Sequence, residues 1–291
     1  MQQVVNGLAL GSQYALFAVG FTLVLGVLDV LNLSHVAVFT AGAYVTYLMS
    51  SHGVPIVLAI AIAVVACSGL GILVERIGFR PLRGRSNEGI SALVSGVAVA
   101  LILEAIILAK FGPNALNFGR KTYPTAPVQL ASDVLITPLQ LVTIGSAIGL
   151  TVLLQWTLKF TTFGRQVRAV AENAEAAALL GVRVQSVYIW TFAIASASGA
   201  FAGALFAMQF NGLTPDLGDS VQLKGLAAII LGGMGSISGS LCAGIMLGFV
   251  EVLTVQFVGS QWKDLAAFLV LFVVLLVRPR GLLGLPTVRQ A

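Results

Sequence analysis

Charge is what this chain lacks most. Of its 291 residues only 9% are Asp, Glu, Lys or Arg, while 58% are hydrophobic. Soluble domains carry about 25% charged residues, so a water-soluble globule is excluded and the chain reads as an integral membrane protein. The residues of common soluble chemistry are just as scarce. The two histidines, His35 and His52, lie in different breaks between apolar runs, and there is no H-E-x-x-H pair. No G-x-x-x-x-G-K-[ST] loop is present, which excludes ATP binding by that route. No serine stands with a histidine and an acid to suggest a nucleophile. The glycines of 232–239 do not keep G-x-G-x-x-G spacing and no strand precedes them. The two cysteines, Cys67 and Cys242, sit alone inside apolar runs, which argues against a disulfide or a metal pair. The formal net charge of +5 is dispersed among short loops and forms no nucleic-acid face. No catalytic residue and no metal site is assigned.

What the chain has in quantity is apolar runs. They leave room for about eight crossings of ~20 residues each, with no soluble domain between them. The expected fold is therefore an all-α polytopic membrane bundle forming one unit over 1–291. Runs over 4–28, 56–74, 90–108, 138–158, 187–210, 241–258 and 265–277 read as spans. Gly7 and Gly11 suit close helix packing in the first of them. A run over 36–49 is short, and one over 221–231, about 17 Å long as a helix, falls short of a ~30 Å core. Each of these two either crosses or re-enters, and the orientation below counts the run over 36–49 as a crossing. Outside the runs lie a loop over 111–137, rich in Pro and Asn, and a charged loop over 159–186.

Basic residues set the expected orientation. Of 16 Lys and Arg, eleven fall in the Arg76–Arg85 stretch, the Lys159–Arg183 stretch and the tail with Arg278, Arg280 and Arg289. The positive-inside rule makes these regions cytoplasmic, with the C-terminus inside and the N-terminus outside. Lys110, Arg120, Lys121, Lys224 and Lys263 are assigned to the opposite side. No Lys or Arg precedes Arg76, so the first run is read as a retained helix and not a cleaved signal. A weak internal echo pairs GLGILVE over 69–75 with GIMLGFVE over 244–251. On this topology the copies run in opposite directions, as an inverted repeat would, and short interrupted segments then mark a transport path.

Asn32 and His35 interrupt the chain where the first two runs meet. They either satisfy backbone groups freed at a helix break or border the path. Gly232, Gly233, Gly235 and Ser236 follow the short run and carry the same two readings: a packing turn, or backbone lining the path. Glu75 is expected to pair with Arg76 or Arg80. Glu104 and Glu251 are ionisable groups within apolar runs. The remaining polar stretch is GRQVRAVAENAEAAALLG over 164–181. Residues 169–180 hold no Gly or Pro and many alanines, predicting one helix, and Gly181 is placed as its stop. Arg165, Arg168, Glu172 and Glu175 supply charges of both signs. Ala176, Leu179 and Leu180 supply a shallow apolar patch, which suits a groove on a partner protein better than a lipid surface.

That segment resembles the cytoplasmic coupling loop of permeases from bacterial branched-chain amino acid ABC importers, most closely the first of their two permeases. The resemblance runs nearly end to end: NGLALGSQYAL over 6–16, NLSH over 32–35, Glu75 with Arg76 and RPL over 80–82, LGGMGS over 231–236, and RPRG over 278–281. It implies a membrane permease paired with a second, related permease and seated on two ABC ATPase subunits, which bind the ATP and Mg. It also implies a periplasmic or lipid-anchored binding protein that delivers substrate. Gly164, Arg165, Arg168, Glu172, Asn173, Glu175, Ala176, Leu179, Leu180 and Gly181 are then the coupling residues. This chain itself would bind no cofactor and no nucleic acid, contacting only these proteins and lipid in the bacterial cytoplasmic membrane. Where the family often has Gly and an acidic residue after Asn-x-x-His, this chain has Val36 and Ala37. The expected substrates are branched-chain amino acids, with urea or short amides as the alternative and an ion-coupled secondary transporter as a distant rival.

Overall fold

The computed structural model describes residues 1–83, 88–119, 122–124, 126–131 and 134–284. Among them the chain forms eleven α-helices: α1 Gln2–Leu28, α2 Ser34–Ser51, α3 Ile56–Val74, α4 Glu88–Phe111, α5 Pro138–Phe160, α6 Thr162–Glu172, α7 Ala174–Leu179, α8 Val184–Phe210, α9 Asp219–Gly232, α10 Ile237–Phe257 and α11 Lys263–Val277. Helices α1, α4, α5, α8, α10, α3 with its continuation to Leu82, and α11 with its lead-in from Ser260 are the seven long and apolar enough to cross a membrane. Helix α2 carries Ser34, His35, Thr40 and Thr46 and is less apolar, and α9 has only 14 residues. The all-α polytopic expectation holds.

Burial divides the helices into two sets. α1 and α8 are buried along most of their length, whereas α3, α4, α5 and α11 expose Val57, Leu101, Trp156 and Phe272. A helix apolar on all sides has no water-facing stripe, so its outer face suits lipid. α1 comes close to α10 through small residues: a Cβ on Gly11 would lie 2.5 Å from Ile245 Cα.

The packing repeats in inverted form. α1 packs most extensively on α10, α8 packs on α3 and equally on α2, and the pairs α2/α3 and α9/α10 are alike. Each pair is a shorter helix followed by a longer one. The two short helices begin side by side inside the bundle, where the Gly218 N–H donates to Thr40 Oγ1 at 3.0 Å. From there α2 runs toward the end of the bundle where α1 begins, and α9 runs toward the end where α1 finishes.

Most sequence boundaries shift by a few residues. α8 starts at Val184, three residues before the predicted span, and Gly239 belongs to α10 and not to the turn before it. The loop over 111–137 contains an antiparallel hairpin, Val128–Ala131 with Val134–Ile136. Arg85, Arg120, Lys121, Asp133 and Arg289 lie outside the described residues. Past α3 the chain continues as a π-turn, Glu75–Phe79, and a 3-10 turn, Arg80–Leu82. Lys224, assigned to the outer side, is instead buried within α9.

Candidate functional site

The charged segment folds as two helices, not one. Asn173 breaks the run in an extended conformation, and its side chain accepts the Ala176 N–H at 2.9 Å, capping α7. An Asn side chain competes with the helix ladder in this way, which is why it favours cap positions. α7 ends as predicted. Gly181 adopts φ 85°, the Gly181 N–H reaches Ala178 O at 3.0 Å and the Val182 N–H reaches Ala177 O at 3.0 Å. This is a Schellman closure, and glycine takes the left-handed position at no steric cost.

Val167, Val170 and Ala177 anchor the segment on Val27 at the end of α1 and Val187 at the start of α8. Gly164 is buried against the Leu158 carbonyl of α5, so it is a packing residue. Arg168 donates to that same carbonyl and holds the α5–α6 corner. Arg165, Glu172, Asn173, Glu175, Ala176 and Gly181 are exposed. Leu179 and Leu180 are 90% and 85% exposed. Two leucines held out to solvent beside both signs of charge make an outward-facing patch on a fixed base.

The residues of the first break lie elsewhere. Asn32 is buried, accepts from Ser34 Oγ, and its carbonyl receives the His35 N–H at 3.2 Å. His35 is 1% exposed, edge-on to Phe17 at 5.2 Å and to Phe21 at 5.6 Å, with Nε2 unpartnered. It is enclosed where α1, α2 and α8 cross. Gly232, Gly233, Gly235 and Ser236 form the turn at the far end of α9. There the Leu282 and Leu283 N–H groups bind the Leu231 and Gly232 carbonyls at 2.8 and 3.0 Å, and Ser236 Oγ caps α10 by accepting from Gly239 N–H at 3.1 Å. The first break and the glycine turn are therefore not brought together; the starts of α2 and α9 are. A cavity of ≈ 20 Å³ lies at that junction, lined by Val36, Ala37, Thr40, Glu104, Pro215 and Asp219 among others. Val36 and Ala37 of that lining are the two residues at which the sequence departs from the resemblance described above.

Two buried ion clusters escaped the sequence reading. Glu75 pairs with Arg83 at 2.7 Å, not with Arg76 or Arg80, and accepts from Gln185 Nε2 at 2.8 Å. The π-turn advances the chain so that Arg83 returns under Glu75. Glu251 pairs with Lys224 at 2.8 Å and accepts from Tyr14 Oη at 2.6 Å. The available signal was a lysine inside an eleven-residue apolar run, for which a buried partner is the physical expectation.

Comparison with known proteins agrees with this architecture. The family described as "Branched-chain amino acid transport system / permease component" matches residues 3–276. The chain belongs to that family. The high-affinity branched-chain amino acid transport system permease protein BraD of Pseudomonas aeruginosa is 32% identical over 309 residues, covering 100% of this chain and 97% of BraD. LivH of Escherichia coli K12, which carries the same description, is 30% identical over 305 residues, with 100% and 97% covered. The autoinducer 2 import system permease protein LsrC of Salmonella paratyphi B is 35% identical over 142 residues, 45% of this chain and 41% of LsrC. Among solved structures, PsaBC from Streptococcus pneumoniae in complex with Fab is similar in fold, with a TM-score of 0.50 at 12% identity over 96% of this chain and 93% of that one. This family member is thus a multi-pass permease component of a bacterial transport system.

Proposed function

We propose that the protein imports branched-chain amino acids across the bacterial cytoplasmic membrane as one of a pair of related permeases, driven by two ABC ATPases. The substrate class rests on the descriptions of BraD and LivH. The observation that carries the coupling is α7, whose leucines are exposed while Ala177 and the α6 valines fix it to the ends of α1 and α8. A push on α7 is thereby delivered to two helices that run through the centre of the bundle. In this reading the basic end, with Arg76, Arg83, Lys159, Arg165 and Arg278, faces the cytoplasm, in keeping with the positive-inside rule. ATP and Mg are bound by the ATPases, a periplasmic or lipid-anchored binding protein supplies the substrate, and this chain does no chemistry. Asn32 and His35, and Gly232, Gly233, Gly235 and Ser236, are the places where the chain turns beside the path.

Alternating access follows from an energy source outside the chain: closure of the ATPases moves α6 and α7, and the bundle reopens on its other face. The test is reconstitution with the ATPases, partner permease and binding protein. Glu172→Lys and Leu180→Arg are expected to leave hydrolysis running while leucine uptake falls. Wild-type substrate-stimulated hydrolysis and uptake in both variants would refute the coupling role. Purification of the chain alone with ion-driven uptake in liposomes would overturn the whole reading.

A further inference from the structure

A groove runs between α3 and α5 on the outside of the bundle, with α8 as its floor. Its volume is ≈ 380 Å³, and Val64, Ile72, Leu150, Leu153, Trp190 and Phe201 are among its walls. Two hydroxyls also line it, those of Ser68 and Ser198. Both are bonded to backbone: Ser68 Oγ donates to the Ala193 carbonyl at 3.2 Å and Ser198 Oγ to the Ala195 carbonyl at 2.7 Å. The groove therefore offers a polar solute no free hydroxyl, and an apolar occupant gains most by filling it.

Its length and depth match one acyl chain. From Trp190 to Phe201 the floor runs eleven residues along α8, about 16 Å. One leaflet supplies about 15 Å of a ~30 Å hydrocarbon core. Trp190, 58% exposed, stands six residues into α8, about 9 Å from its start. Tryptophan favours that level, where acyl chains give way to headgroups. Trp190 and Leu153, both more than half exposed, form the rim. A second helix, about 10 Å across, would ride on that rim, whereas a single hydrocarbon chain fits between.

Positive charge gathers at one mouth. Glu75, at the end of α3, accepts from Gln185, near the start of α8, at 2.8 Å, so these two ends meet. Arg76 lies four residues past Ile72, one turn along the continuation of α3. Arg183, the N-cap of α8, lies seven residues before Trp190, two turns back on the same face. Both arginines are exposed, and among the described residues neither forms an ion pair. The acid beside them, Glu75, is held by Arg83 at 2.7 Å. Two exposed cations at the end of an apolar groove complement an anionic headgroup on an apolar chain.

We propose that this groove binds one anionic phospholipid from the leaflet at the basic end, its acyl chain laid along α8 and its phosphate on Arg76 and Arg183. The site goes beyond the proposed import of amino acids and does not depend on it. It also covers the open stretch of α8, a helix otherwise buried along most of its length.

The test uses the full chain in vesicles with Trp190 as its only tryptophan (Trp156→Phe, Trp262→Phe) and lipids brominated in mid-chain as contact quenchers. Dibromo-phosphatidylglycerol should quench Trp190 with about fivefold higher apparent affinity than dibromo-phosphatidylcholine. The matched chain that keeps only Trp156, 56% exposed and outside the groove, should show a ratio within about a factor of two of unity. Arg76→Gln with Arg183→Gln should bring the Trp190 ratio down to the Trp156 value. Ala197→Phe, which fills the floor, should do the same; if either variant keeps the original ratio, the site is overturned. Equal quenching by the two lipids at Trp190 leaves annular lipid only and overturns it too. So does a Trp190 that neither lipid reaches, which would mean that protein covers the groove. If the glutamine variant does not insert, raising NaCl from about 0.05 to about 0.5 M should cut the preference at least about twofold, and a preference indifferent to salt overturns the arginine contact. A chain that supports no leucine uptake yet keeps the lipid preference refutes the import reading alone.

Discussion

Glu75 and Glu251 close two similar stretches in opposite halves of the bundle, yet they are neutralised by different means. Glu75 is fully buried and takes its cation from Arg83, which also donates to Gln185 at 3.0 Å and stacks on Tyr188 at 4.0 Å. This cluster ties the end of α3 to the first residues of α8, just past α6 and α7. Glu251 takes Lys224 and Tyr14, with Asp264 3.0 Å from Lys224 and Lys263 3.8 Å from Glu251. That cluster joins α1, α9, α10 and α11. The first therefore fastens the turn after α3 to the start of α8, whereas the second holds four helices to one another. An inverted repeat can keep its geometry while its two buried acids take on different mechanical duties.

The largest break is expected at Lys224. Lys224→Met leaves Glu251 buried without its main cation and should destabilise the protein by about 3–5 kcal/mol. Thermal unfolding in detergent would register this, with Lys224→Met/Glu251→Leu partly restored; a wild-type midpoint in the single variant would deny the pair any role. Arg83→Ala should cost less, about 2 kcal/mol, because Gln185 still donates to Glu75. If the two clusters differ as described, Arg83→Ala lowers uptake per ATP hydrolysed more than its stability loss explains, and Lys224→Met lowers both together.

Gly218→Val tests the junction of the short helices. A Cβ there would meet the Val36 carbonyl at 2.6 Å, and overpacking of this kind costs about 1–3 kcal/mol. Gly69 has nothing within 4 Å of its Cβ position, so Gly69→Ala is the matched control and should unfold no earlier than wild type. The smallest effect is expected at Asn173→Ala, about 1 kcal/mol for a lost N-cap. It should appear as faster hydrogen exchange at the Ala176 amide with no change in the global midpoint.

Much of the bundle was legible because membrane burial writes a coarse, one-dimensional signal. Long apolar runs with few charges locate α1, α3, α4, α5, α8, α10 and α11 to within a few residues, since a spanning segment must satisfy its backbone internally. Gly181 was legible as a stop because a left-handed closure strongly favours one residue type. Asn173 is not legible as a break: its cap depends on the chain already bending there, and alanines on both sides favour continuing. The partners of Glu75 and Glu251 were less accessible still, lying 110 and 27 residues away at Gln185 and Lys224. Glu104 and Asp219 were visible singly, but their place on one cavity was not.

By itself the sequence determined that this protein lives in a membrane, where its spans lie, which loops are basic and where an amphipathic segment interrupts them. These follow from local composition and period, which any stretch of about twenty residues expresses on its own. Only the tertiary structure decided that α2 and α9 start back to back, that Lys224 lies inside the bundle and not outside it, and that Val36 and Ala37 face a cavity. Those outcomes depend on helix pairs such as α1 with α10 and α8 with α3, whose contacts join residues far apart in the chain. Charge at depth has a cost that only a three-dimensional partner offsets, and the partner's identity is a property of the packed bundle.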